Sequence, residues 1–251
     1  MGYVGKWHVS PHHGPVDFGY HDYYGVNDYE VYYRSICPDH TFRHGSLGEP
    51  DPVPVDQARS HTLAAQAISL IRRYTRERRA WHIRVDFPEP HPPYRPAGRF
   101  ARMYAADDVH PWESFQDTLD GKPAMQRRQL YNWGVENFTW SDWSPIVSRY
   151  YGIISQYDEA IGLIRSSLEE LGIDDDTVII YTADHGDMCG AHRMMDKHFV
   201  MYDDVVRVPL IVRVPGAAPS VCEVMVSNTL DLAPTILETA GLSVPPDLHG
   251  R

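Results

Sequence analysis

Between Pro145 and Leu171 the residues Ile146, Tyr150, Ile153, Tyr157, Ile161, Ile164, Leu168 and Leu171 recur every three or four positions. On a helix that spacing makes one continuous apolar stripe, which has to be buried against another element. Ser144 is a suitable N-cap, Pro145 suits the first helical position and Gly172 suits the stop. After the turn Asp174-Asp175-Asp176 comes Thr177-Val178-Ile179-Ile180-Tyr181-Thr182, a largely apolar run of strand length. An unbroken run of this kind is expected of a strand buried on both faces. A long amphipathic helix feeding a buried strand restricts the chain to the α/β class, a sheet with helices packed on both faces.

The rest of the chain fits that class. A helix is predicted from about Asp56 to Arg79, where Leu63, Ala67, Leu70, Ile71 and Tyr74 keep helical spacing and Asp56 can cap the start. Trp81, Ile83, Val85 and Phe87 alternate, which reads as a strand, and Pro88, Pro90, Pro92 and Pro93 end it. Pro209 to Val214 reads as a second buried strand, and Asp231 to Ala240 as a closing helix stopped by Gly241. Residues 9–54 read as loop, rich in proline and glycine. Residues 94–143 read as a polar, aromatic-rich insertion on the substrate side. No helix or strand is expected to lead into Gly5. With 251 residues, a globule should bury roughly 70–75% of its unfolded surface. No apolar run reaches the roughly 18 residues of a membrane-spanning helix.

Acidic residues outnumber basic ones 34 to 23, for a net charge of -11. That balance argues against broad binding to nucleic acid or to anionic membranes, though a basic pocket can still take a small anion. Cys37, Cys189 and Cys222 have no metal-ligand spacing and make no disulfide framework. No signal-peptide pattern follows Met1, and the sequence assigns no compartment or oligomeric state. Of the fourteen histidines, His8, His12, His13, His91, His185, His192 and His198 fall in three short segments.

The first segment is Gly5-Lys6-Trp7-His8, where lysine and histidine at i and i+2 of an extended stretch share a face. Such a pair can hold a tetrahedral anion, the histidine also moving a proton near neutral pH. The second is Phe87-Pro88-Glu89-Pro90-His91-Pro92-Pro93-Tyr94, whose prolines hold His91 in one place. The third is Thr182-Ala183-Asp184-His185-Gly186-Asp187, directly beyond a strand, where α/β sheets form their sites. Asp184 and His185 there are a common pair of divalent-metal ligands. Further on, Lys197 offers a point charge for an oxyanion. Each segment alone has a plainer reading: a short loop, a polyproline-type surface turn, a helix cap with a surface histidine, or a solvated lysine.

In combination and in this order the segments resemble the sulfatase family of the alkaline-phosphatase-like superfamily. The likeness continues through Tyr202-Asp203-Asp204, Arg207 to Gly216, and Asp231-Leu232-Ala233-Pro234-Thr235. The resemblance implies hydrolysis of a sulfate ester, on a small molecule or a saccharide, and an alkaline-phosphatase-like central sheet. It makes Lys6 and His8 the pair that contacts the sulfate and the nucleophile. It places His91 near the leaving-group oxygen and makes Lys197 the cation that neutralises that oxygen. It makes Asp184 and His185 two ligands of a divalent metal, usually calcium. A phosphonate monoester or phosphodiester hydrolase of the same superfamily is the alternative, with manganese or zinc as the metal.

The sequence also departs from the family. The family nucleophile is a cysteine or serine in Cys/Ser-x-Pro-x-Arg, oxidised to formylglycine, and no such motif occurs among these residues. The family's paired acidic metal ligands lie upstream of the Gly-Lys-Trp-His segment, and its smaller antiparallel sheet follows the last segment seen here. Residues 1–251 are therefore expected to be a partial catalytic domain, incomplete at the front, lacking the small sheet, and inactive alone. A non-catalytic binding module is the competing reading from another class. A zinc hydrolase ranks last, because no His-Glu-x-x-His pattern is present.

Overall fold

In the computed structural model, which describes residues 1–250, Gly2–Gly5 forms β1, the centre of a three-stranded sheet. β2, Asp22–Gly25, and β3, Ile83–Asp86, flank it in the order β2-β1-β3, and both pairings are parallel. The register aligns Gly5 with Gly25 and with Asp86, so all three strands end at one edge. A strand does therefore lead into Lys6. Four residues, two of them glycine, carry no readable alternation in the sequence, although all four are buried.

Helix α1, Val26–Ile36, follows β2 directly, and α2, Arg59–Arg76, precedes β3. Val4, Tyr24 and Val85 stand in register on one face of the sheet and pack against Leu63, Ala67 and Leu70 of α2. Tyr3 and Tyr23 hold the other face, where the Tyr3 ring meets Trp7 and Tyr20 edge-on at 5.3 and 5.2 Å. α1 and β2 lie inside the stretch expected to be loop. Tyr29 and Tyr33, one helical turn apart, bury α1 against Val53, Ala58 and Ala97. α2 begins at Arg59 rather than Asp56, because Ala58 is extended and Asp56 sits in a preceding 3-10 turn.

The long helix α4, Trp140–Glu170, starts five residues before the expected Pro145. Thr139 and Asp142 form a reciprocal capping box that outcompetes Ser144 as the start. α4 packs along α2, tied to it by two polar contacts, the first of them buried. The Gln156 side-chain amide donates to Ser60 at 3.1 Å, and His61 donates to Glu159 at 3.0 Å. Within residues 94–143, α3, Ala124–Trp133, is the one α-helix before α4 begins at Trp140, the remainder of the described residues being 3-10 helices, turns and irregular chain.

Two compact units divide the chain. The first, Met1–Asp174 with Met188–Asp196, holds the elements above. The second, Asp175–Asp187 with Lys197–Arg251, holds β4, Ile179–Thr182, the short α5, Asp203–Val206, β5, Leu210–Arg213, and α6, Asn228–Thr239. β4 and β5 pair antiparallel. Neither is buried on both faces as the apolar runs suggested: β4 is half-buried throughout, and Ile211 is 62% exposed. An unbroken apolar run signals hydrophobicity, not the presence of a cover on each side.

Candidate active site

The edge where the three parallel strands end opens into a cleft of about 260 Å³. Residues just beyond each strand line it: Lys6 and Trp7 after β1, Val26 and Asn27 after β2, and Pro88, His91, Pro92 and Pro93 after β3. Tyr23 and Arg59 complete the wall. Ligands of parallel α/β sheets bind at this edge, because the loops there converge from every strand. Three basic side chains, Lys6, Arg59 and His91, face one small volume on a protein of net charge -11.

Gly5 determines where Lys6 goes. Its φ is +113°, and a Cβ there would fall on the Asp86 carbonyl oxygen. Only glycine lets β1 run this close to β3 and turn outward immediately afterwards. The Lys6 amide then donates to the Asp86 carbonyl at 2.9 Å. The Tyr3 hydroxyl, with one proton to donate, sits within hydrogen-bond distance of both the Lys6 carbonyl, at 2.7 Å, and the Asp86 carboxylate. Lys6 is half-buried, while His8 is exposed and is not among the residues lining the cleft. The i, i+2 argument for one face does not carry here, since the strand ends at Gly5.

His91 is held by its own loop. Its amide donates to the Pro88 carbonyl at 3.0 Å, and its ring Nδ1 lies 2.7 Å from the Pro92 carbonyl. A ring nitrogen facing a carbonyl must carry the proton, so Nδ1 is the donor and Nε2 is the nitrogen that gains or loses one. Arg59, at the start of α2, donates from Nε to Glu89 at 2.8 Å. Burial pulls the Arg59 guanidinium pKa down, but the Glu89 carboxylate outweighs this and leaves it raised. Arg59, Trp7, Tyr23 and Asn27 were not singled out in the sequence. Arg59 gave no signal, and Asn27 was hidden with the strand that precedes it.

In the second unit Asp184 and His185 follow β4. Gly186 donates to the Val205 carbonyl at 2.8 Å, and a Cβ on Gly186 would collide with the Asp204 carbonyl, so the turn packs tightly on α5. His185 Nδ1 lies 2.8 Å from the Gly186 carbonyl, which leaves Nε2 as the ligand-capable atom, 3.4 Å from an Asp184 carboxylate oxygen. The two donors converge and suit a divalent cation chemically. Among the described residues, however, no group of three or more His, Cys, Asp or Glu could hold a metal. The pair by itself does not complete a coordination shell. Lys197 is half-buried in a turn of the same unit.

His192, in the first unit, makes a contact that the sequence did not suggest. Its Nδ1 lies 2.6 Å from Asp117, whose carboxylate also accepts from Lys122. His192 and Arg193 both have positive φ, 49° and 61°, and Arg193 donates to the Asp117 carbonyl at 3.2 Å. Asp117 thus clamps a strained turn.

The model of the sulfatase family matches residues 1–242. The chain belongs to the sulfatase family. It is 27% identical over 267 residues to the uncharacterized sulfatase YidJ of Escherichia coli, covering 99% of this chain and 51% of that protein. It is 40% identical over 130 residues to an N-acetylglucosamine-6-O-sulfatase of Bacteroides thetaiotaomicron, covering 51% of this chain and 22% of that protein. The chain thus spans about half the length of the first of these relatives and less of the second. Its fold superposes on a phosphonate monoester hydrolase from Silicibacter pomeroyi with a TM-score of 0.79 at 21% identity, over 100% of this chain and 57% of that one. The expected α/β class is thereby shown, and the sheet of the first unit is parallel.

Proposed function

We propose that this sulfatase-family chain takes part in hydrolysing a sulfate ester and binds the sulfate in the cleft at the ends of β1, β2 and β3. One observation carries this reading: Lys6, Arg59 and His91 converge on that cleft from separate elements. A sulfate ester gains negative charge on its leaving oxygen as the bond breaks, and fixed cations in a partly desolvated site lower the cost of that charge. Lys6 holds a sulfate oxygen. His91, its Nδ1 fixed on the Pro92 carbonyl, presents Nε2 to protonate the leaving oxygen. By the family resemblance His8 has the role of assisting breakdown of a covalent intermediate formed on a nucleophile that these residues do not contain, and Lys197 that of neutralising a leaving oxygen. By the same resemblance Asp184 and His185 would supply two ligands of a divalent cation, usually calcium in the family, and such an ion, when bound, would supply Lewis-acid chemistry.

A sulfated saccharide is the substrate class. Trp7 and Tyr23 offer flat apolar faces in the same cleft, and one relative is named for a 6-O-sulfated N-acetylglucosamine. Calorimetric titration of the chain with glucosamine 6-sulfate and with glucosamine tests the reading. Saturable binding of the sulfated sugar alone, weakened at least tenfold in Lys6→Ala, is expected. Equal affinity for both sugars would overturn it.

A further inference from the structure

Arg59 and Glu89 form an ion pair at the edge of the cleft, with the Glu89 side chain 4% exposed and Arg59 lining the wall. Arg59 Nε donates to Oε1 of Glu89, while Oε2 is buried with no hydrogen-bond partner among the described residues. A buried carboxylate held by one such bond is a costly arrangement, and well-packed apolar residues would serve stability at least as well. Its location suggests what it does. Glu89 lies inside the turn that the His91 amide closes on the Pro88 carbonyl at 3.0 Å. Arg59 is the first residue of α2, which Leu63 and Ala67, both fully buried, fix against the sheet. The bond between them ties the histidine loop to a rigid element. It also cancels a negative charge two residues from His91, beside a cleft meant for an anion.

We propose that Arg59 is a positioning residue: through Glu89 it sets where the His91 ring stands, and by neutralising Glu89 it keeps the cleft fit for an anion. The second half rests on the reading of the cleft as a sulfate site. The pair predicts opposite effects of its two ends. Arg59→Met removes the anchor and uncovers the Glu89 charge. Glu89→Ala removes the anchor but releases the Arg59 cation toward the cleft.

The test uses the full chain with histidine Cε1 labelled, the His91 ring signal assigned by its loss in His91→Gln. Sodium sulfate is the probe, and melting curves report folding. Both variants should move or broaden the His91 signal. Arg59→Met should weaken sulfate binding about tenfold, whereas Glu89→Ala should keep or strengthen it, and Arg59→Lys should recover most of the Arg59→Met loss. An unmoved His91 signal in folded Arg59→Met or Glu89→Ala would overturn the proposal, and either variant alone decides this. Equal weakening of binding by both variants would overturn the charge-screening half. If the unsubstituted chain bound no sulfate, the cleft reading would fall, while the ring signal would still decide the positioning claim.

Discussion

The Lys6 amide donates to the carbonyl oxygen of Asp86 at 2.9 Å. That bond extends the pairing of β1 with β3 one residue past the last pair, Gly5 and Asp86. It makes the Gly-Lys-Trp-His segment and the proline-rich histidine loop leave the sheet side by side. Two motifs about eighty residues apart in sequence become two walls of one cleft.

Gly5→Ala should be strongly destabilising. A methyl group would meet the Asp86 carbonyl oxygen, and φ of +113° is closed to L side chains. Backbone strain and displacement of a central strand together should cost about 3 kcal/mol. For a chain of this size that is a fall of about 6–12 °C in melting temperature, read by circular dichroism. A variant melting within about 2 °C of the parent would show that β1 and β3 do not approach as described.

Asp117 should contribute to stability in a pH-dependent way. Burial would raise its carboxyl pKa, but Lys122, the Leu119 amide and His192 outweigh burial and hold it well below the usual carboxylate range. A group depressed in the folded state stabilises above its unfolded value, about 3.9, and loses that contribution as pH falls through the folded value. Asp117→Asn should therefore lower the melting temperature at pH 7 and narrow its gap to the parent as pH is taken below about 4. A constant gap from pH 7 to pH 3 would contradict the clamp.

Calcium should bind this chain weakly, no tighter than about 1 mM. Asp184 and His185 offer two converging donors, and among the described residues no cluster of three exists. A calcium titration showing micromolar affinity that Asp184→Asn abolishes would mean that further residues of the chain close the shell.

The 251-residue polypeptide should turn over no aryl sulfate. No cysteine or serine in it stands in a Cys/Ser-x-Pro-x-Arg motif, so the cleft has binding groups and no family nucleophile. Release of nitrophenol above blank, lost in Lys6→Ala, would contradict this.

The elements that were legible in the sequence were those with enough periodic residues. α4 and α2 show their stripes over many turns, and β3 shows its alternation at Ile83 and Val85. β1 and β2 are four residues each and rich in glycine and tyrosine, so their pairing depends on partners far away in sequence. Lys6 and His91 were found through their motifs. Arg59 has no motif, because its importance comes from Glu89, which tertiary structure alone brings near. The helix starts were misjudged for a local reason: Thr139 with Asp142 caps better than Ser144 before a proline.

The cleft as an anion site that joins Lys6 to His91 is the central claim, and the direct measurement is a sulfate titration followed at the His91 ring by NMR. The account predicts a saturable shift of that signal in the parent chain and at least a tenfold weaker response in Lys6→Ala. A His91 signal indifferent to sulfate, or one that responds equally in Lys6→Ala, would contradict it.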